Sequence, residues 1–316
     1  MGLGGVIARK IAFVFPGQGS QYVGMGKSLY EVSEAARRVF HQADDILGFS
    51  LSSMCFEGPD ELLNDTINAQ PAILTVSLAY LEALRERWHA LGSSVAPVAV
   101  AGHSLGEFTA LVAAGVIDFS DALRVVRERG RLMKESGALF PGGMAAVIGL
   151  DRETLEAVCT EAGEVGIVVV ANDNCPGQSV ISGENAALEQ AMLLAKERGA
   201  RKVVRLGISI ASHSPLMERA GQQLAEFVSR IHLYEPNVPI IANITGQMVV
   251  TAEDIRKEIA QHVVLPVQWT SSVREMVNSG VSTFLEVGPG NVLGGLIRRI
   301  KSDVDVVTVK DFGLSG

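Results

Sequence analysis

The sequence predicts an α/β protein: a hydrolase-like parallel-sheet core with an inserted ferredoxin-like (βαββαβ) subdomain. Three observations carry this. Short apolar runs alternate with amphipathic stretches of helical period up to residue 140, the pattern of a parallel sheet covered by helices. Within that stretch, Gly102-His103-Ser104-Leu105-Gly106 follows an apolar run and precedes a helical pattern, the context of a sharp strand-to-helix turn built on Gly-x-Ser-x-Gly. After Pro141-Gly142-Gly143 the order becomes β-α-β-β-α-β, then reverts to the first pattern. The expected organisation is a large catalytic domain of residues 1–140 and 207–316, with a small subdomain of residues 141–206.

The elements follow in order. Residues 11–15 read as a strand running into Pro16-Gly17-Gln18-Gly19-Ser20-Gln21. Helical stretches follow at about 26–47 and 70–89; the second carries Ile73, Val76, Tyr80, Leu81 and Leu84 at helical spacing. A strand at 97–101 leads into the serine turn, followed by helices at 108–114 and 120–136. In the subdomain, 144–150, 167–171, 179–182 and 202–206 read as strands, and 152–162 and 185–198 as helices. A strand at 207–210 is expected to deliver Ala211-Ser212-His213-Ser214-Pro215 to a helix over 215–231, with Ser214 as N-cap and Pro215 at its first position. Strands at 239–242, 283–287 and 305–309 alternate with helices at 253–263, 271–279 and 292–300.

Bulk properties exclude several function classes. The chain has 316 residues, 47% hydrophobic and 20% charged, enough for an extensive core. Its net charge of −8 argues against bulk nucleic-acid binding. No apolar run approaches the roughly 18 residues that span a membrane, and Met1 to Lys10 lacks the apolar stretch of a secretion signal. Gly2 is followed by Val6 where N-myristoylation needs Ser or Thr. Cys55, Cys159 and Cys175 are scattered, odd in number and without metal-ligand spacing, as expected of reduced thiols in the cytoplasm.

The candidate chemistry starts at Ser104. A turn of this kind lifts the hydroxyl off the sheet and sets the Leu105 amide at a helix N-terminus, facing a developing oxyanion. A serine needs a base, and His213 stands at a strand-to-helix junction of the kind where open α/β sheets place their sites. The bland alternative is a histidine that only hydrogen-bonds the start of a helix. His41 and His89 lie in amphipathic helices, and His262, near a helix end, reads from the sequence as a C-terminal helix cation. The imidazole's third partner is open between Asp173 and a backbone carbonyl. Arg129 fills a slot in the apolar stripe Ala122, Val125, Val126, Met133; a buried arginine there must meet a carboxylate, from the protein or from a ligand. Arg124, Arg127, Arg131 and Lys134 fall mostly off that stripe and are expected to face solvent. The Gly17-Gln18-Gly19-Ser20 turn lacks nucleotide-binding spacing, and can serve as a phosphate cradle or supply a second oxyanion N–H.

Taken together, these segments resemble the malonyl-CoA:acyl-carrier-protein transacylases and the related acyltransferase domains of polyketide synthases, over nearly the whole chain. Phe15-Pro16-Gly17-Gln18-Gly19-Ser20-Gln21, Gly102-His103-Ser104-Leu105-Gly106-Glu107, Arg129-Gly130, Asn172-Asp173-Asn174 with Pro176-Gly177-Gln178, Ser212-His213, and Glu286-Val287-Gly288-Pro289-Gly290 are similar to the family's motifs, in the family's order. The resemblance implies Ser104 as nucleophile, His213 as base, the Gln18 and Leu105 amides as oxyanion hole, and Arg129 as partner of the malonate carboxylate. It implies Asn172 and Ser212 in the acyl pocket, and a main-chain carbonyl at His262 orienting the base, where the family often has Gln. Gln268 stands where an arginine is common. No metal or redox cofactor is implied; the substrate is malonyl-CoA, and phosphopantetheine is carried by the partner, an acyl carrier protein. A monomer is expected. Fatty-acid or polyketide synthesis, and malonyl or methylmalonyl units, both stay open. The rivals are a serine hydrolase, in which water replaces the thiol, and an idle docking domain. Docking of an acidic carrier protein would need a local basic patch, with Lys196, Arg198, Arg201, Lys202, Arg205, Arg298, Arg299 and Lys301 as candidates.

Overall fold

The computed structural model describes residues 10–314; the N-terminal readings on secretion and myristoylation concern residues that, up to residue 9, lie outside these. The first part of the chain gives β1 (Ile11–Phe15), α1 (Lys27–Val32), α2 (Glu34–Leu47), α3 (Leu51–Glu57), α4 (Asp60–Asn64), α5 (Thr66–Ala90), β2 (Ala99–Gly102), α6 (Gly106–Ala113) and α7 (Phe119–Leu139). The middle gives β3 (Gly142–Ile148), α8 (Arg152–Ala162), β4 (Val168–Cys175), β5 (Gln178–Glu184), α9 (Asn185–Glu197) and β6 (Lys202–Arg205). The last part gives α10 (Glu218–Ser229), β7 (Ile240–Ile241), β8 (Met248–Val249), α11 (Ala252–Gln261), α12 (Trp269–Asn278), β9 (Thr283–Glu286), α13 (Val292–Ile300) and β10 (Asp305–Thr308).

The larger sheet has the order β10-β9-β1-β2-β7-β8. Its strands pair in parallel except β8, which runs antiparallel to β7 at one edge. β1 is buried on both faces, as an interior parallel strand must be. Ile11, Phe13 and Phe15 pack with Ile73, Leu81 and Trp88 of α5, whereas Ala12 and Val14 pack with Trp269, Met276 and Ile297 of α12 and α13. The smaller sheet is wholly antiparallel, in the order β4-β5-β3-β6. One face carries α8 and α9, through Leu155, Val158, Leu188 and Ala191. Its other face, with Met144 and Val180, forms a wall of the cleft described below.

The structure departs from the sequence reading at identifiable places. The expected helix over 26–47 breaks at Ser33, whose extended backbone lets its side chain accept the Ala36 N–H and cap α2. The short helices α3 and α4, and the two-residue strand β8, escaped notice because each is too brief to show a period. Residues 207–210 form no strand: β7 already occupies the place beside β2, so the segment runs instead along α7, where Ile210 meets Gly137. Ser214 holds the cap position, but its hydroxyl donates to the Ala211 carbonyl at 2.6 Å, and a 3₁₀ turn, Pro215–Met217, precedes α10. Arg127 is half-buried, its guanidinium 4.6 Å from the Phe49 ring centroid, whereas Arg124, Arg131 and Lys134 are exposed. Among the described residues, no helix is long and apolar enough to cross a membrane.

Candidate active site

The C-terminal ends of β1 and β2 lie side by side, Phe15 beside Gly102, so the loops that leave them meet. There the two elbow glycines act through close approach. A Cβ on Gly102 would fall 1.9 Å from the Gly106 carbonyl carbon, and one on Gly106 would fall 2.1 Å from the Phe15 oxygen. The strain itself sits on the serine. Among the described residues, Ser104 (φ 49°) and His213 (φ 57°) are the non-glycine residues with left-handed backbone. Such strain persists only where the surroundings fix it, and it gathers at functional sites.

Asn243, just past β7, does much of that fixing. Its Oδ1 accepts the Ser104 N–H at 2.7 Å, its Nδ2 donates to the Gly102 carbonyl at 2.7 Å, and its own N–H donates to Glu107 Oε2 at 3.0 Å. The sequence reading missed Asn243, whose role exists only because β7 pairs with β2. Opposite it, the His213 N–H donates to the Val263 carbonyl at 2.8 Å, and His213 Nδ1 lies 3.0 Å from the Leu265 oxygen. A carbonyl only accepts, so Nδ1 carries the proton and Nε2 faces Ser104 Oγ, 2.9 Å away, with its lone pair. The orienting carbonyl therefore belongs to Leu265, not to His262 as the resemblance implied. Asp173 takes no part: it accepts from Thr270 and lies 3.8 Å from Arg152.

Arg129 reaches the same hydroxyl from below. It is 2% exposed. Its Nη2 donates to Ser104 Oγ at 3.0 Å and lies 3.3 Å from His262 Nδ1, while Nη1 donates to Gln70 Oε1 at 2.8 Å. The neighbouring Gly130 makes the contact with α5 possible, since a Cβ there would lie 2.6 Å from the Thr66 oxygen. Gln70 in turn donates to Thr66 Oγ1, and Thr66 to Gln18 Oε1, each at 2.9 Å, so one chain of bonds runs from the first loop to the arginine. Neither Gln70 nor Thr66 was legible as a site residue; both lie in a helix buried on nearly all sides, where the sequence shows only apolar periodicity.

Gln18, Ser104, Arg129, Asn172, Ser212 and His213 line one cleft between the two sheets, and Leu105 and His262 are buried behind it. Asn172 belongs to β4 and bridges to Val267, which ties the smaller sheet to the turn that holds His213. Burial dominates the electrostatics. It holds His213 well below the ordinary imidazole range, helped by the Arg129 charge and then by His262, so the ring is a neutral base at pH 7. His262, 1% exposed, is likewise held neutral by burial and by Arg129, which rules out the helix cation read from the sequence. Burial lowers Arg129 to about 10, against the pull of Glu107, and leaves it charged at neutral pH. Among the described residues no carboxylate forms an ion pair with it. Burial also raises the Glu107 carboxyl to about 8 and that of Glu258 to about 9. We expect the acid limb of kcat/KM against pH to fall below about 6.5, the ordinary imidazole value, because a depressed base stays unprotonated as pH drops past that point. A pH–rate profile checks this; a limb above 6.5 contradicts it.

Much of the basic patch is internally paired. Arg198 meets Glu161 at 2.5 Å, Arg205 meets Glu189 at 3.2 Å, Lys301 meets Asp303 at 3.0 Å, and Arg298 and Arg299 donate to the Val306 and Pro176 carbonyls at 3.0 and 3.1 Å. Gln268 accepts from Arg152.

This arrangement matches known proteins over almost its whole length. Residues 12–310 match the acyl transferase domain. The malonyl CoA-acyl carrier protein transacylase of Bacillus subtilis is 44% identical, over 96% of this chain and 94% of that one. The solved acyl-carrier-protein S-malonyltransferase of Bartonella henselae superposes with a TM-score of 0.90 at 42% identity, covering 95% of each chain. A malonyl-transacylase solved in complex with a type II polyketide synthase acyl-carrier protein does so with a TM-score of 0.90 at 40% identity, again over 95% of each. With a serine, a neutral imidazole and a buried guanidinium converging at one cleft, the chain belongs to the acyl transferase family, in its malonyl-CoA:acyl-carrier-protein transacylase branch.

Proposed function

We propose that this enzyme transfers malonyl groups from malonyl-CoA to the phosphopantetheine thiol of an acyl carrier protein, in two half-reactions through an ester on Ser104. The observation that carries the mechanism is the convergence on one oxygen: Ser104 Oγ lies 2.9 Å from the His213 lone pair and 3.0 Å from an Arg129 N–H. In the first half-reaction His213 Nε2 takes the Ser104 proton as Oγ adds to the thioester carbon. The Gln18 and Leu105 amides face the oxyanion. Collapse breaks the C–S bond, and CoA leaves as the thiol with the proton from His213. In the second, His213 takes the proton of the phosphopantetheine thiol, whose sulfur adds to the ester; collapse returns Ser104 its proton and releases malonyl-carrier protein. The steps use only side chains, backbone amides and substrate, with no metal or redox cofactor. The Arg129 fork pairs the substrate's free carboxylate.

The same reading divides the chain into a catalytic domain of residues 1–140 and 207–316 and a small subdomain of residues 141–206. The strand order β4-β5-β3-β6, with each helix returning the chain past one intervening strand, supports a ferredoxin-like description of that unit. Asn172, from its β4, and Ser212 form the acyl-pocket wall. The reading takes the enzyme as a monomer, and its three free, buried cysteines support reducing surroundings such as the cytoplasm. Incubation with labelled malonyl-CoA tests the reading. Label is expected on the protein alone, and on carrier protein when holo-carrier protein is added. Release of free malonate at the same rate with and without carrier protein would instead identify a hydrolase.

A further inference from the structure

Arg129 and Glu107, a guanidinium and a carboxyl that would ionise on direct contact with it, are buried in one pocket, yet they do not pair. Low-dielectric surroundings favour direct contact between such groups. A glutamate forked onto the guanidinium would occupy the donors that a substrate carboxylate needs. What stands between them is His262. Its Nδ1 lies 3.3 Å from Arg129 Nη2, and its Nε2 lies 3.4 Å from Glu107 Oε2. An arginine N–H can only donate, so Nδ1 accepts and the ring proton sits on Nε2, beside the carboxyl but without a hydrogen bond to it. Phe108 closes the remaining side, its ring centroid 5.1 Å from that of His262 and 5.7 Å from the Arg129 Cζ. Glu107 is held back from the other direction by the Asn243 N–H, and Glu258, bonded to the Ile244 N–H, lies behind it.

We propose that His262 is a spacer: it keeps Glu107 off Arg129, so that the guanidinium stays aimed at Ser104 and available to the substrate carboxylate. His262 is thus a positioning residue for acyl-group selection, and the inference rests on the reading of Arg129 as the carboxylate's partner. A glutamine, with one acceptor and one donor at its tip, can bridge the same two groups; an alanine cannot.

The test compares kcat/KM for malonyl-CoA and acetyl-CoA, both with holo-carrier protein, in His262→Ala, His262→Gln, Glu107→Gln, the double variant H262A/E107Q, and Arg129→Ala as reference. His262→Ala is expected to lower the malonyl-to-acetyl ratio by about tenfold or more, the size found when the partner behind a site ligand is removed. His262→Gln is expected to keep most of the ratio. The decisive variant is the double one: removing the competing carboxyl is expected to restore the ratio lost in His262→Ala, an interaction visible as strong non-additivity. Glu107→Gln still offers Asn243 an acceptor, so the elbow keeps its support. An unchanged ratio in His262→Ala overturns the proposal, and so does a loss that Glu107→Gln fails to restore, since mere packing damage is not repaired by removing a carboxyl. His262→Asn, polar but too short to span both partners, replaces the alanine variant if that one does not fold. An unchanged ratio in Arg129→Ala would instead refute the carboxylate reading on which the proposal stands.

Discussion

Ser104→Ala is expected to abolish the covalent malonyl-enzyme and to lower kcat by a factor on the order of 10⁴ or more, the scale of losing a catalytic nucleophile. The reason lies in the strained turn. With φ at 49° and its amide held by Asn243, Ser104 presents Oγ to His213 and Arg129 together. Intact-mass measurement after incubation with malonyl-CoA reads the outcome directly. His213→Ala is expected to leave a serine that acylates very slowly, with a loss of similar order, because Arg129, the other group on Oγ, donates and cannot accept a proton. A malonyl adduct that persists on the Ser104→Ala protein at the wild-type rate would move the nucleophile elsewhere.

Arg129→Ala is expected to lower kcat/KM for malonyl-CoA by about 2–5 kcal/mol and to leave acetyl transfer equal or improved. Its bonds to Gln70, Ser104 and, at 3.3 Å, the lone pair of His262 hold the guanidinium, but none supplies a countercharge. A site that keeps a cation in this state favours a substrate that brings a carboxylate and rejects one that cannot. Removing the cation removes the discrimination, and the apolar stripe of α7 becomes continuous. Both substrates must be measured on both proteins. An equal fall for malonyl and acetyl transfer would reduce Arg129 to a structural element and undo this account of selectivity.

The sequence by itself determined the parts of this protein that depend on local chemistry. Residues 152–162 and 292–300 announced their helices through period and residues 11–15 their strand through a short apolar run, and the β-α-β-β-α-β order of the middle segment was legible from the same two signals. Gly-x-Ser-x-Gly fixed the elbow because a turn of that closeness tolerates no Cβ at either glycine. A lone arginine in an apolar helix stripe was legible as a buried charge in need of a partner. Tertiary structure alone decided who the partners are. Gln70 and Thr66 meet Arg129 and Gln18 only because Gly130 lets α7 approach α5. The imidazole is oriented by the Leu265 carbonyl, a group every residue has, which no sequence pattern can single out. The charge state of His262 also turned on the fold. A histidine near a helix end reads as a solvated cation, and becomes a neutral buried ring only when Arg129, Glu107 and Phe108 are packed around it. Periodicity and steric closeness act between neighbours in the chain, whereas desolvation and hydrogen-bond pairing act between groups that only folding brings together.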